Sequence, residues 1–152
     1  MFTKIFHKEI FQGNLRKKHY FEGWYFKNVS ADKNHIYSFI AGVSLEENDK
    51  HCFVQVINGS NGQTSYSRYP IEAFYASSDT FFVKIGENTF SREAISLNLH
   101  NDETTITGKI LYRDAVIYPQ RFFHPNIMGP FSFIPNMECN HAIVIINATI
   151  EG

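Results

Sequence analysis

The feature that most constrains what this chain can fold into is its punctuation. Clusters of Gly, Asn, Asp, Ser and charged residues recur about every ten residues, with apolar and polar side chains alternating between them. Alternation puts successive side chains on opposite faces of a strand. No stretch of useful length carries the helical period. The expectation is an all-β protein: an antiparallel lipocalin-like β-barrel, or a strongly curved sandwich, of about nine strands. Successive strands look hairpin-connected, which favours an up-and-down barrel. The 152 residues suffice for one domain with a core, spanning 1–152. Fifteen Phe and eight Tyr again favour strands.

Residues 1–18 read as a leading arm, broken at Gly13-Asn14. Strands are expected at His19–Val29, His35–Leu45, His51–Asn58, Gln63–Tyr69, Phe81–Ile85, Thr89–Ser91, Ala94–Leu99, Thr104–Arg113 and Cys139–Ile150. Gly59-Ser60-Asn61-Gly62 closes a hairpin. Pro70 marks an edge or corner. Ile71–Tyr75 reads as a short helical turn or an irregular crossing. From Asp114 to Pro135, prolines at 119, 125, 130 and 135 interleave with aromatic rings. Such a segment cannot form a regular ladder, yet it is too apolar to float in water. It reads as an ordered loop packed over the mouth or edge of the sheet. The strand after it is apolar on both faces at Ile143–Ile146, as a buried strand would be.

Charge and composition narrow the function classes. A formal net charge of -1 gives no electrostatic case for nucleic acid. The single basic cluster, Arg16-Lys17-Lys18, is too short to hold DNA or an anionic membrane by itself. The opening residues carry charges where a secretory signal needs an apolar core. No apolar run approaches a membrane span. A cytoplasmic location is expected, with peripheral membrane contact left open. Cys52 and Cys139 read as buried, reduced thiols. The seven histidines match no zinc pattern. Glu138-x-x-His141 has the spacing of a di-iron half-site, but on a strand and without a second copy. No metal and no cofactor are expected. Neither a nucleophile elbow nor a phosphate-binding loop occurs.

Two stretches carry chemistry. In His19-Tyr20-Phe21-Glu22-Gly23-Trp24-Tyr25-Phe26-Lys27, alternation places Tyr20, Glu22, Trp24 and Phe26 on one face. Phe21, Gly23, Tyr25 and Lys27 share the other. A carboxylate among three large rings has two readings. If the face points inward, Glu22 is poorly solvated, its protonated form is favoured, and it can serve as an acid toward an apolar substrate. Otherwise it pairs with a neighbouring Arg or Lys, or sits in water at the barrel mouth. The second stretch runs from Met128 to His141 and ends in Glu138 and His141. These two either meet a polar ligand head as acid and base, or satisfy backbone groups left open by the proline-rich loop. Strict alternation points them opposite ways, so a shared site needs a bulge or a strand that begins after Glu138.

Tyr20-Phe21-Glu22-Gly23-Trp24-Tyr25-Phe26-Lys27 resembles the signature near the start of the tocopherol cyclase family. Gly129-Pro130-Phe131-Ser132-Phe133-Ile134-Pro135-Asn136-Met137-Glu138-Cys139-Asn140-His141 resembles that family's mid-chain signature, in the same order and at a fitting separation. The resemblance covers this whole chain but only the first half of the family. The Lys-Asp-Trp-Gly type signature of the later half does not occur, so the chain looks like an N-terminal domain, a fragment or a truncated member. The resemblance implies a lipocalin-like fold in two barrel halves. It also implies acid-catalysed cyclisation or hydration of a prenylated quinol or another isoprenoid lipid. Carried onto this chain, Glu22 becomes the first candidate acid and Glu138 the second. His141 would bind the hydroxyl or take its proton. Trp24, Tyr25 and Phe26 would wall the prenyl chain. His19, Tyr20, Phe131 and Phe133 complete the substrate-contacting set. The alternatives are a non-catalytic barrel that holds a hydrophobic small molecule, or an inactive half that needs a missing C-terminal domain or a second copy of itself.

Overall fold

The computed structural model describes residues 6–101, 105–134 and 142–152. Its strands are β1 (Tyr20–Val29), β2 (Ile36–Glu46), β3 (Asp49–Asn58), β4 (Thr64–Pro70), β5 (Phe74–Ala76), β6 (Phe82–Ile85), β7 (Asn88–Ser91), β8 (Ala94–His100), β9 (Thr105–Ile117) and β10 (Ile145–Glu151). The protein is all-β, and every paired neighbour is antiparallel. Two sheets form, in the orders β1-β2-β3-β4 and β10-β9-β8-β7-β6-β5. No ladder joins them among the described residues. The architecture is therefore an open sandwich or curved sheet, and the hydrogen-bonded closure of a barrel is not observed. Pro70 ends β4, an edge strand, where its missing N–H costs the ladder nothing. A 3-10 turn at Ile71–Ala73 then carries the chain from one sheet to the other.

One core lies between the sheets, and it is the alternating faces of the strands that meet there. Ala41, Val43 and Leu45 of β2 and Cys52 and Val54 of β3 are fully buried. Ile85, Phe90 and Ile95 oppose them from the second sheet. β1 contributes rings. Trp24 stacks on Phe74 at 6.3 Å, and Phe26 packs against Phe81, Phe90 and Tyr112 at 5.7–6.0 Å. Such ring pairs add directional attraction to simple burial. Among the buried polar residues, Asn28 and Asn88 are paired within this core. Asn28 accepts from the Tyr112 hydroxyl at 2.9 Å, which ties β1 to β9. On the outer face of the first sheet, Phe53 stacks between Phe21 (5.8 Å) and Tyr66 (4.8 Å).

The final third departs from expectation. β9 continues past its ladder with β8, which ends at Ala94↔Leu111; the Tyr112 N–H still reaches the Glu93 carbonyl at 2.8 Å, and β10 pairs with the strand to Ile117. A shift in the β9–β10 register accompanies Asp114, whose φ is 50°. The last strand begins at Ile145, later than the sequence indicates, and Ile143 and Ile146 are exposed rather than buried. The proline-rich segment does not bury its rings over a mouth: Phe122, Phe123 and Phe131 are 72%, 67% and 60% exposed. It is ordered instead around Asn126, whose side-chain oxygen accepts from the Met128 N–H at 2.8 Å and the Ser132 hydroxyl at 2.9 Å.

Candidate functional site

The inward face of β1 forms as the alternation requires: Tyr20, Glu22, Trp24 and Phe26 point to the core side, Phe21 and Tyr25 away from it. What covers Glu22 was not legible in the sequence. The leading arm, residues 6–13, folds across this end of the sandwich. Ile10 is buried, and the Phe11 ring meets Phe74 at 5.2 Å, Trp24 at 6.2 Å and Tyr20 at 6.4 Å. The Gln12 N–H reaches both Glu22 oxygens at 3.0 Å, and the Gly13 N–H reaches Oε2 at 3.1 Å. The Tyr20 hydroxyl donates to the same oxygen at 2.5 Å. Burial, then that hydrogen bond and the negative charge of Glu22, hold the Tyr20 phenol far above its ordinary value, so it remains a donor. Burial lowers the Lys8 ammonium, and the charge of Glu22 acts against that shift.

Glu9 extends the attachment. It is buried, its carbonyl accepts from the Trp24 indole at 2.7 Å, and its carboxylate pairs with Arg92 at 2.6 Å. Glu22 therefore accepts hydrogen bonds from the arm and from Tyr20, and it lines neither of the clefts described next.

The larger cleft, about 810 Å³, opens at the other end of the strands. Its apolar wall is Tyr37, Phe39, Val56 and Ile106, with the Tyr37 and Phe39 rings parallel within 10° at 6.4 Å. Its polar groups are Asn58, Gln63, Thr64, Ser65, Thr105 and Thr107. None of these ten residues carries a formal charge. A smaller cleft of about 170 Å³ shares Tyr37 and Phe39 and reaches Ile110 and Ile150. Register places the larger cleft away from Glu22. Glu22 pairs with Val43, whereas Phe39 lies four residues earlier in β2, a separation of about 13 Å at strand rise.

The expected site residues thus divide. Tyr20, Glu22, Trp24 and Phe26 lie together. Tyr25 lies on the opposite face, 59% exposed, with its hydroxyl 2.9 Å from Ser38 Oγ. His19 is exposed and contacts Glu46 at 2.8 Å. Phe131 and Phe133 sit on the exposed loop. Glu138, His141 and Cys139 lie outside the described residues. Cys52 is buried and free, and burial pushes its thiol up to about 11. No group of metal-ligating side chains occurs among the described residues. No helix among them is long and apolar enough to cross a membrane. The cleft residues were absent from the expected set, although alternation along the expected strand His35–Leu45 puts Tyr37 and Phe39 on one face with Ala41, Val43 and Leu45. Comparison of the chain with known protein families, with characterised proteins and with solved structures finds no match.

Proposed function

We propose that this protein binds an uncharged amphiphile, with a ring or isoprenoid body and a hydroxyl head, in the cleft between Phe39 and Thr107. The supporting observation is the lining: two parallel rings and two aliphatic side chains, together with six neutral hydrogen-bonding groups. A charged ligand would be desolvated there without a counter-charge among the described residues. A neutral ligand with hydroxyl groups finds hydrogen-bonding partners among these six side chains. The volume lies within the range usual for small-molecule sites, about 300–1,000 Å³. A prenylated quinol, the substrate class implied by the tocopherol cyclase resemblance, has this chemistry.

Calorimetric titration with a prenylated hydroquinone tests the reading. Saturable one-to-one binding is expected, weakened at least tenfold by Thr107→Trp, which fills the cleft, and by Gln63→Glu, which charges it. Unchanged affinity in both variants would overturn the proposal. Acid-catalysed cyclisation at Glu22 is a second reading. It rests on the carboxylate sharing its strand face with Trp24 and Phe26, and it requires that the Gln12, Gly13 and Tyr20 donors, which stabilise the ionised carboxylate, first be displaced. It requires product formation from that quinol, lost in Glu22→Gln.

A further inference from the structure

The arm that covers Glu22 has the chemistry of a ligand. It places one phenyl ring, Phe11, among the rings of Phe74, Trp24 and Tyr20. Beside that ring it brings two N–H donors, from Gln12 and Gly13, onto one carboxylate. It also brings the Lys8 ammonium into the field of the same carboxylate. The slot is shaped around the ring. A Cβ at Gly13 would fall against Tyr20 Cε1 and within 2.7 Å of Phe11 Cε2, so only glycine lets the chain pass there unshifted. Between the arm and β1, residues 14–19 are all exposed, and their contacts with the sandwich, Lys18 with Glu47, His19 with Glu46 and the Lys50 ammonium with the Leu15 carbonyl, lie at its surface.

We propose that the Phe11 slot is a second binding site, occupied here by the protein's own arm, and that its ligand is an arylalkyl ammonium compound. Such a molecule carries the phenyl group and the cationic N–H donor at a short fixed spacing. Its ring replaces Phe11 against Trp24 and Phe74. Its ammonium replaces the two arm amides at Glu22, putting a full positive charge where the arm offers neutral N–H donors. The aromatic faces around it attract the cation as well. The ligand and the Phe11–Gly13 segment exclude one another, so binding releases those three residues while Glu9 stays held by Trp24 and Arg92. This site lies at the opposite end of the sandwich from the proposed cleft and does not depend on it.

Phenethylamine is the probe, and phenylacetate, with the same ring and the opposite charge, is its control. In the unaltered protein, saturating phenethylamine is expected to raise the amide exchange rates of Gln12 and Gly13 at least tenfold and to shift the emission of Trp24, the single tryptophan. Phenylacetate is expected to do neither. Phe11→Ala vacates the slot and is expected to tighten phenethylamine binding about tenfold. Phe11→Leu, which keeps the site filled and apolar, serves if the alanine variant fails to fold, with an intermediate gain. Glu22→Gln is expected to remove the preference for the amine over phenethyl alcohol. Unchanged exchange at Gln12 and Gly13, or equal responses to amine and carboxylate, would overturn the proposal. So would an affinity indifferent to Phe11.

Discussion

The indole N–H of Trp24 donates to the main-chain carbonyl of Glu9 at 2.7 Å, joining the first strand to an arm fifteen residues upstream. Both partners are buried. Together with the amide contacts to Glu22, this bond makes the arm part of the fold rather than a tail. Trp24→Phe keeps a ring in the core and deletes only the donor and some volume. The Glu9 carbonyl is then left without that partner, a loss of about 1–3 kcal/mol. Urea denaturation followed by circular dichroism is expected to show it, with faster proteolysis of the arm. An unchanged midpoint would contradict this role for the indole.

Asn88 is fully buried, and its amide serves three elements at once. Its nitrogen donates to Ile85 O at 3.1 Å and Tyr69 Oη at 3.2 Å, and its oxygen accepts from the Asn98 N–H at 2.8 Å. Asn88→Ala strands a backbone donor and a backbone acceptor and opens a void. A loss of about 2–4 kcal/mol is expected in the same denaturation assay. A loss below half a kcal/mol, roughly the scatter of surface substitutions, would mean that water replaces the side chain.

Gly42 lies under the outer aromatic row. A Cβ there would sit 2.5 Å from Phe53 Cζ and 2.8 Å from the Glu22 carbonyl oxygen. The ring can tilt, but the β1 backbone cannot easily retreat. Gly42→Ala is expected to cost about 1–3 kcal/mol, in the range of overpacking. Combining it with Phe53→Leu should recover part of that loss. Equal stability of Gly42→Ala and the parent would contradict the close approach.

Stability should fall in alkali. Burial pushes the Tyr112 phenol from 10.0 up to about 12 and the Cys52 thiol from 9.0 up to about 11. The unfolded chain loses these protons first, so above pH 9 it binds fewer protons than the folded chain, and the slope of stability with pH is negative. The contribution is complete below pH 9 and is lost progressively to about pH 12. The urea midpoint is expected to drop across that window, with a shallower drop above pH 10 for Tyr112→Phe. A midpoint flat to pH 11 would contradict it.

Much of the fold was legible because strands with one buried face obey a period of two. The inward set on β1 and the apolar face of β2 follow directly from alternation, and the Gly59–Gly62 hairpin follows from its turn residues. β5 was missed because a three-residue strand after a 3-10 turn carries no period. The late start of β10 was missed because an apolar run such as Ile143–Ile146 signals burial only if something covers it. The partners of Glu22 were hidden for a different reason. Two of them are backbone amides nine and ten residues upstream, and an amide has no signature in the sequence. The cleft was hidden because its neutral polar residues come from three strands and a turn, which only the register brings together.

Chemical-shift mapping of the protein with saturating prenylated hydroquinone tests the central proposal most directly. The largest changes are expected at Tyr37, Phe39, Val56 and Ile106, with Trp24 and Phe74 little affected. Changes confined to the Trp24 end, or none at saturation, would contradict it.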